Sequence, residues 1–248
     1  MDLVYPPVIG AAQVLYRLLG LDITITGAEH IPRSGGAVLA SNHVSYLDFI
    51  FCGQAALPSK RLVRFMAKDA VFAHRLSGPL MRGMRHIPVD RDAGASSYAA
   101  ALRALRAGEV IGVFPEATIS RSFTVKEIKN GAVRLAQGAG VPLIPVALWG
   151  GQRLWSKDLP RDLTTRGRAL SIAVGEPMHP TRRGDATGHA DELRTRMQAL
   201  LDDVQVRHRD QPAAGEEAPW HPRHHGGTAP TPAEAAELDR AGRRVAPD

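Results

Sequence analysis

His43 and Asp48 stand five positions apart in the stretch Asn42-His43-Val44-Ser45-Tyr46-Leu47-Asp48, an imidazole and a carboxylate at a spacing that suits proton abstraction. A histidine titrates near neutrality and can act as a general base, while a carboxylate bonded to its second nitrogen fixes the tautomer and stabilises the imidazolium. The other reading makes Asp48 the acidic member of a capping box opened by Ser45, with His43 a loop histidine bonded to backbone. Before the pair, Gly36-Ala37-Val38-Leu39-Ala40 is a short apolar run that reads as an interior strand. After it, Phe49-Ile50-Phe51-Cys52 continues a helix. The expected order is strand, chemistry-bearing loop, helix.

Three further segments follow at ordered distances. Gly83-Met84-Arg85-His86-Ile87-Pro88-Val89-Asp90-Arg91 is a glycine, an apolar stretch and an arginine; Phe114-Pro115-Glu116-Ala117-Thr118-Ile119-Ser120 places a carboxylate and two hydroxyls after an apolar run; Val141-Pro142-Leu143-Ile144-Pro145-Val146 reads as a strand entry. With the His43 block these segments resemble the glycerolipid acyltransferase family, specifically the 1-acylglycerol-3-phosphate acyltransferases, over residues 8–205. The third block departs from the family pattern Phe-Pro-Glu-Gly-Thr-Arg-Ser, because Ala117 replaces the glycine and Ile119 the arginine.

The chain has 248 residues, enough for one sizeable core. Its single cysteine, Cys52, excludes an intrachain disulfide and any cysteine-only metal site, and its apolar helical surroundings read as core rather than nucleophile. A net charge of +6 points to an anionic partner. Lys60, Arg61, Arg64, Lys68, Arg75, Arg82, Arg85 and Arg91 face only Asp69 and Asp90 within their segment, and they alternate with Leu62, Phe65, Met66, Val71, Phe72, Leu76, Leu80 and Met81. That mixture suits a lipid interface, or a solvated basic face around a core, better than nucleic acid, for which no zinc-finger or RNA-recognition signature is present. No apolar run is long enough to span a bilayer, and no cleavable leader is expected.

Val8, Ala11, Ala12, Val14, Leu15, Leu18 and Leu19 recur at helical spacing between Pro6-Pro7 and Gly20, predicting an amphipathic N-terminal helix over residues 1–20 that lies in a membrane interface or covers the core. Strands are expected at 22–26, 37–40, 62–66, 87–89, 110–114, 143–148 and 170–174, with helices at 47–55, 97–107, 132–137 and 190–207. The fold class is therefore α/β, a largely parallel sheet flanked by helices over residues 21–208. His43, Arg91 and Glu116 each follow a strand, where open α/β sheets bind ligands. Residues 209–248, rich in Pro, Ala, Gly and charge, read as a flexible tail with a short helix near 232–238. His221, His224 and His225 lack an acid or cysteine ligand pattern, so no metal site is predicted.

The resemblance implies a sheet of the glycerolipid acyltransferase type. It also implies transfer of a fatty acyl group from acyl-CoA or acyl carrier protein to 1-acylglycerol 3-phosphate, giving phosphatidic acid, at the cytoplasmic face of the cell membrane. His43 and Asp48 would be catalytic. Asn42, Arg91, Glu116, Thr118, Ser120 and Arg121 would bind substrate, Arg91 by gripping the acceptor phosphate and Arg121 by standing in for the arginine missing at Ile119. Arg85, Lys126, Lys129 and Arg153 are candidate contacts for donor phosphates. No cofactor is implied, the donor being a substrate. No Gly-x-Ser-x-Gly elbow is present, so direct attack in a ternary complex is expected rather than an acyl-enzyme. Two rival readings are an acyltransferase with another lysolipid or glycolipid acceptor, motivated by Ile119, and a non-catalytic membrane lipid-binding protein on the same fold.

Overall fold

A computed structural model describes residues 2–89 and 94–245. The sheet has seven strands: β1 (Asp22–Thr26), β2 (Ala37–Ser41), β3 (Val63–Lys68), β4 (Ile87–Val89), β5 (Val110–Val113), β6 (Leu143–Trp149) and β7 (Ala169–Val174). Their order is β1-β7-β6-β2-β5-β3-β4. Every pairing is parallel except β6 with β7, which run antiparallel.

Alternation across the pleat divides the apolar side chains between two cores. Val38 and Ala40 of β2, Ile111 of β5, and Leu143, Ala147 and Trp149 of β6 face one way. They meet α5 (Gly94–Arg106), α6 (Gly131–Ala139) and α7 (Ala186–Arg207) through Ala101, Leu105, Val133, Leu193 and Met197. Ala37, Leu39, Val110, Ile144, Val146 and Leu148 face the other way, onto Tyr16 of α1 (Tyr5–Leu19) and Phe51 and Cys52 of α2 (Asp48–Ala55). β2 is buried along its whole length because both faces are covered. Gly112 has a steric reason: a Cβ there would lie 2.4 Å from the Phe65 ring on the neighbouring strand.

The N-terminal helix covers the core with one face and leaves apolar residues exposed on the other. Tyr5 donates to the Val63 carbonyl at 2.6 Å, and Tyr16 packs against Phe51, so one face covers the core. Val14, Leu15 and Leu18 on the other face are exposed. Beyond β3 the chain forms two short helices that periodicity did not predict, α3 (Asp69–Ala73) and α4 (Ser77–Gly83). Val4 packs so closely on Gly83 that a Cβ there would meet it at 2.6 Å, which places α4 beside the start of α1.

Residues after Arg209 differ from the expected flexible tail. Ala218, His221 and Ala229 are fully buried, with His221 edge-on to Trp149 at 5.7 Å and to Trp220 at 5.2 Å. His224 and His225 sit 3.2 and 3.6 Å from the Asp202 carboxylate on α7. A polar, Pro- and Gly-rich composition hides these few anchors, which are aromatic or small residues seated in prepared places. The chain ends in α8 (Pro232–Val245), longer than the expected 232–238.

Candidate active site

The adjacent parallel strands β2 and β5 are in register with Ala40 opposite Val113, so the loops after them emerge side by side. One carries His43, the other Glu116. Asp48 opens α2 fully buried, and a single carboxylate oxygen, Oδ2, accepts from the amides of Val44 at 2.6 Å and Ser45 at 2.7 Å and from His43 Nδ1 at 2.9 Å. Of the two sequence readings the histidine partner is realised, whereas the capping box is present only in its bond from the Ser45 amide to Asp48, because the Ser45 hydroxyl accepts from the Leu47 amide at 3.1 Å and the His43 ring bonds the carboxylate rather than backbone. Because an ionised carboxylate only accepts, Nδ1 carries the proton and Nε2 is the nitrogen with a free lone pair. The imidazole is 21% exposed and stacks on Phe114, ring centres 4.5 Å apart. Burial pushes the Asp48 carboxyl up, against the hydrogen bonds from His43 and the two amides.

Glu116 joins the two loops. Its Oε1 accepts from the His43 amide at 2.9 Å and its Oε2 from the Lys126 amide at 3.0 Å, while the Ser120 amide donates to the His43 carbonyl at 2.7 Å. Desolvation of this buried carboxyl pushes it up to about 8, opposed by the two amide bonds. Its visible role is to hold the His43 backbone. Ala117 has φ +63°, in the left-handed region where a side chain costs about 1–2 kcal/mol, which gives the glycine of the family pattern a steric meaning at this position.

Several other predicted residues are placed differently from expectation. Asn42 is buried, donating to the Leu148 carbonyl at 3.0 Å and accepting from its amide at 2.7 Å, so it ties β2 to β6 rather than reaching substrate. Ser120 is buried, and its hydroxyl donates to the Thr124 carbonyl at 2.7 Å, which removes it from the open site. Ile119 is buried as an apolar residue. Thr118 is exposed and accepts from Lys126 Nζ at 2.6 Å. Arg121 pairs with Asp158 and with Asp239 of α8. Arg91 lies outside the described residues.

Among the candidate donor contacts, Arg85 pairs with Glu109 at 3.1 Å, at the end of β5 opposite Glu116. Arg153 stacks on Trp220 at 4.0 Å and pairs with Asp210. Lys126 alone of the four is shown at the site through its side chain. Ser45 donates to the Trp155 carbonyl at 2.7 Å, and burial pushes the Cys52 thiol up to about 12; neither is arranged as a nucleophile.

Sequence reasoning gave no role to Phe114, which stacks on His43, or to Lys157 and Asp239. Phe114 lay within a recognised block, so its place beside Glu116 was the available signal. The rings continue from Phe114 to Phe65 at 6.2 Å and from Phe65 to Phe49 at 6.3 Å, reaching an apolar pocket between α1, α2 and β3. That pocket has a cavity volume of about 50 Å³ and is lined by Val8, Ala12, Phe49, Ile50, Leu62 and Met84 among others.

A family model described as Acyltransferase matches residues 22–149, just over half of the chain and all of the segment that builds this site up to the end of β6. The chain belongs to the acyltransferase family. This acyltransferase is 31% identical to the 1-acyl-sn-glycerol-3-phosphate acyltransferase of Bacillus subtilis (strain 168) over 170 residues, covering 68% of the chain and 79% of that relative. It is 29% identical to the 1-acyl-sn-glycerol-3-phosphate acyltransferase of Borreliella burgdorferi over 146 residues, 57% of each protein, so the chain spans little more than half of that relative. The fold matches the crystal structure of the 1-acyl-sn-glycerophosphate (LPA) acyltransferase PlsC from Thermotoga maritima with a TM-score of 0.70 at 20% identity, covering 83% of this chain and 81% of that one.

Proposed function

We propose that this acyltransferase moves a fatty acyl group from a thioester donor, acyl-CoA or acyl carrier protein, to the free hydroxyl of 1-acylglycerol 3-phosphate, forming phosphatidic acid. The observation that carries the reading is the bond of 2.9 Å between His43 Nδ1 and a buried carboxylate, which leaves Nε2 with a free lone pair on a ring that is 21% exposed. Its support from relatives is their shared name as acyltransferases of that acceptor.

The chemistry follows from this geometry. As the acceptor oxygen bonds to the thioester carbonyl carbon, His43 Nε2 takes its proton, and Asp48 stabilises the imidazolium without taking that proton itself. The carbon–sulfur bond then breaks, and the imidazolium returns its proton to the departing thiolate. Phe114 holds the imidazole plane, and Glu116 fixes the backbone on which His43 turns. The acyl chain is assigned to the apolar pocket reached past Phe114 and Phe65, whose cavity of about 50 Å³ must widen between α1, α2 and β3 to admit it, and each methylene buried there is worth about 0.8 kcal/mol.

The enzyme is assigned to a membrane surface on its cytoplasmic face. Leu3, Val14, Leu15 and Leu18 on and before α1, and Leu76 and Leu80 at α4, are exposed apolar side chains on neighbouring elements, and Lys60, Lys68, Arg75, Arg82 and Arg85 are the exposed cations of the 60–85 segment, Arg64 being buried. Among the described residues no helix is long and apolar enough to cross a membrane.

The test is acceptor-dependent thiol release by the purified protein with a panel of acceptors. Release should be faster with 1-acylglycerol 3-phosphate than with a neutral lysolipid or a glycolipid. Faster turnover of either alternative would move the acceptor assignment, and lipid binding with no turnover would favour a non-catalytic protein.

A further inference from the structure

Arg121, Lys126 and Lys157 come from two separate loops and converge on one carboxylate. Asp239 Oδ1 accepts from Arg121 and, at 3.1 Å, from Lys157 Nζ; its Oδ2 accepts from Lys126 Nζ at 2.5 Å. Asp158 supplies a second, largely exposed carboxylate to Arg121. The cluster adjoins the catalytic loop directly, since the Lys126 ammonium also reaches Thr118 and the Lys126 amide is bound to the same Glu116 that holds His43.

The element that brings Asp239 there is barely anchored. Thr231 and Glu234 form a reciprocal cap, with Thr231 N to Glu234 Oε2 at 2.8 Å, which lets α8 persist as a helix with little tertiary support. From 232 to 242 only Ala235 is buried and only Asp239 is half-buried, four residues apart on one face; the other side chains are exposed. Among the described side chains of α8, one alanine contributes little apolar burial and the exposed Glu234–Arg223 pair little more, so the Asp239 carboxylate is the principal tether. The segment before the helix is held independently, through Ala218, His221 and Ala229. Release of α8 therefore need not unfold what precedes it.

Charge accounts for what would replace it. Three cations face two carboxylates, leaving one positive charge uncompensated; a phosphate monoester dianion in place of Asp239 would bring the cluster to neutrality. The exchange also trades charge-assisted hydrogen bonds for others of the same kind, so it is free to run either way. We propose that α8 is a displaceable latch whose Asp239 holds the place of the acceptor phosphate between Arg121, Lys126 and Lys157, and that acceptor binding drives it out. This rests on the proposed acceptor class and adds to it an internal competitor carried by the chain itself. Lys157 becomes a phosphate contact, and Arg121 becomes available to phosphate only when the latch opens.

Two measurements on the full chain test it. A fraction of the protein held closed raises the apparent KM by the inverse of the open fraction, so Asp239→Asn should lower the KM for 1-acylglycerol 3-phosphate by about threefold or more, with the change in KM rather than kcat. Asp239→Glu, which keeps the carboxylate, should retain a KM near that of the unsubstituted protein. In the unsubstituted protein, saturating glycerol 3-phosphate should speed amide hydrogen exchange in residues 232–245. A KM unchanged or raised in D239N, a D239E that behaves like D239N, or exchange in α8 that is unaffected or slowed would overturn the latch. The exchange measurement needs no turnover, so it judges the latch even if the protein fails to acylate 1-acylglycerol 3-phosphate, an outcome that would sink the proposed function separately.

Discussion

One oxygen of Asp48 carries two obligations, ending the loop that turns into α2 and fixing the tautomer of His43. The two can be separated by Asp48→Asn. An asparagine oxygen can still accept from the Val44 and Ser45 amides, but it no longer offsets the positive charge that develops on His43 in the transition state. Turnover should fall by at least about 10²-fold while the protein remains folded. Melting and kcat measured on the same preparation decide the point, because a drop in melting temperature with near-normal turnover would leave Asp48 only its structural role. At this scale the sequence was informative about identity and weaker about use. The spacing of His43 and Asp48 was legible because a helix start fixes both residues within a few positions. Asn42 and Glu116 were legible as motif members, yet their bonds run to backbone 106 and 73 positions away, to Leu148 and His43. Nothing local in the sequence specifies such partners.

At the scale of elements, all seven strands were readable, because β2, β5 and β6 are short apolar runs and β1 alternates. α3 and α4 were missed because helices of five and seven residues scarcely complete an apolar period. Nor does apolar content distinguish strand direction, so the antiparallel β6–β7 pair could not be read from it. The junction of β7 with the end of α7 carries a pH-dependent consequence. His208, which ends α7, is buried with Nδ1 2.8 Å from the Ser171 hydroxyl of β7 and its ring edge-on to Trp149. Burial, reinforced by nearby Arg153 and Arg209 against the opposing pull of Asp210, lowers it to about 4 from an ordinary 6.5. A depressed histidine contributes stability in full above its unfolded value and loses it as pH falls through the folded one, so this contribution should fade between pH 6.5 and 4. His208→Gln should flatten the fall of melting temperature with acidification by up to about one proton's slope. An acid limb of unchanged slope would show that His208 is not a contributor.

Across the whole molecule, one end of the sheet gathers the dyad, the Glu116 loop and the cationic cluster, while α1 and α4 carry exposed apolar side chains beside the basic segment. The account needs the two to work together, with lipid entering from a surface and reaction occurring at the loops. Because Tyr5 and Tyr16 are part of the core, removing the whole of α1 would confound binding with folding. Leu15→Glu with Leu18→Glu changes only its exposed face. The pair should weaken sedimentation with anionic vesicles at least about tenfold, since two buried leucines are worth more than the 1.4 kcal/mol that a factor of ten represents, and should leave the melting temperature nearly unchanged. Equal vesicle binding would assign α1 to core packing alone. The central claim, that His43 removes the acceptor's proton during direct acyl transfer, is tested most directly by acceptor-dependent thiol release from acyl-CoA or acyl carrier protein in the unsubstituted protein and in His43→Ala. The account predicts release only when 1-acylglycerol 3-phosphate is present, and a fall of at least about 10²-fold in a folded His43→Ala protein. Near-normal acceptor-dependent release by that variant would contradict it.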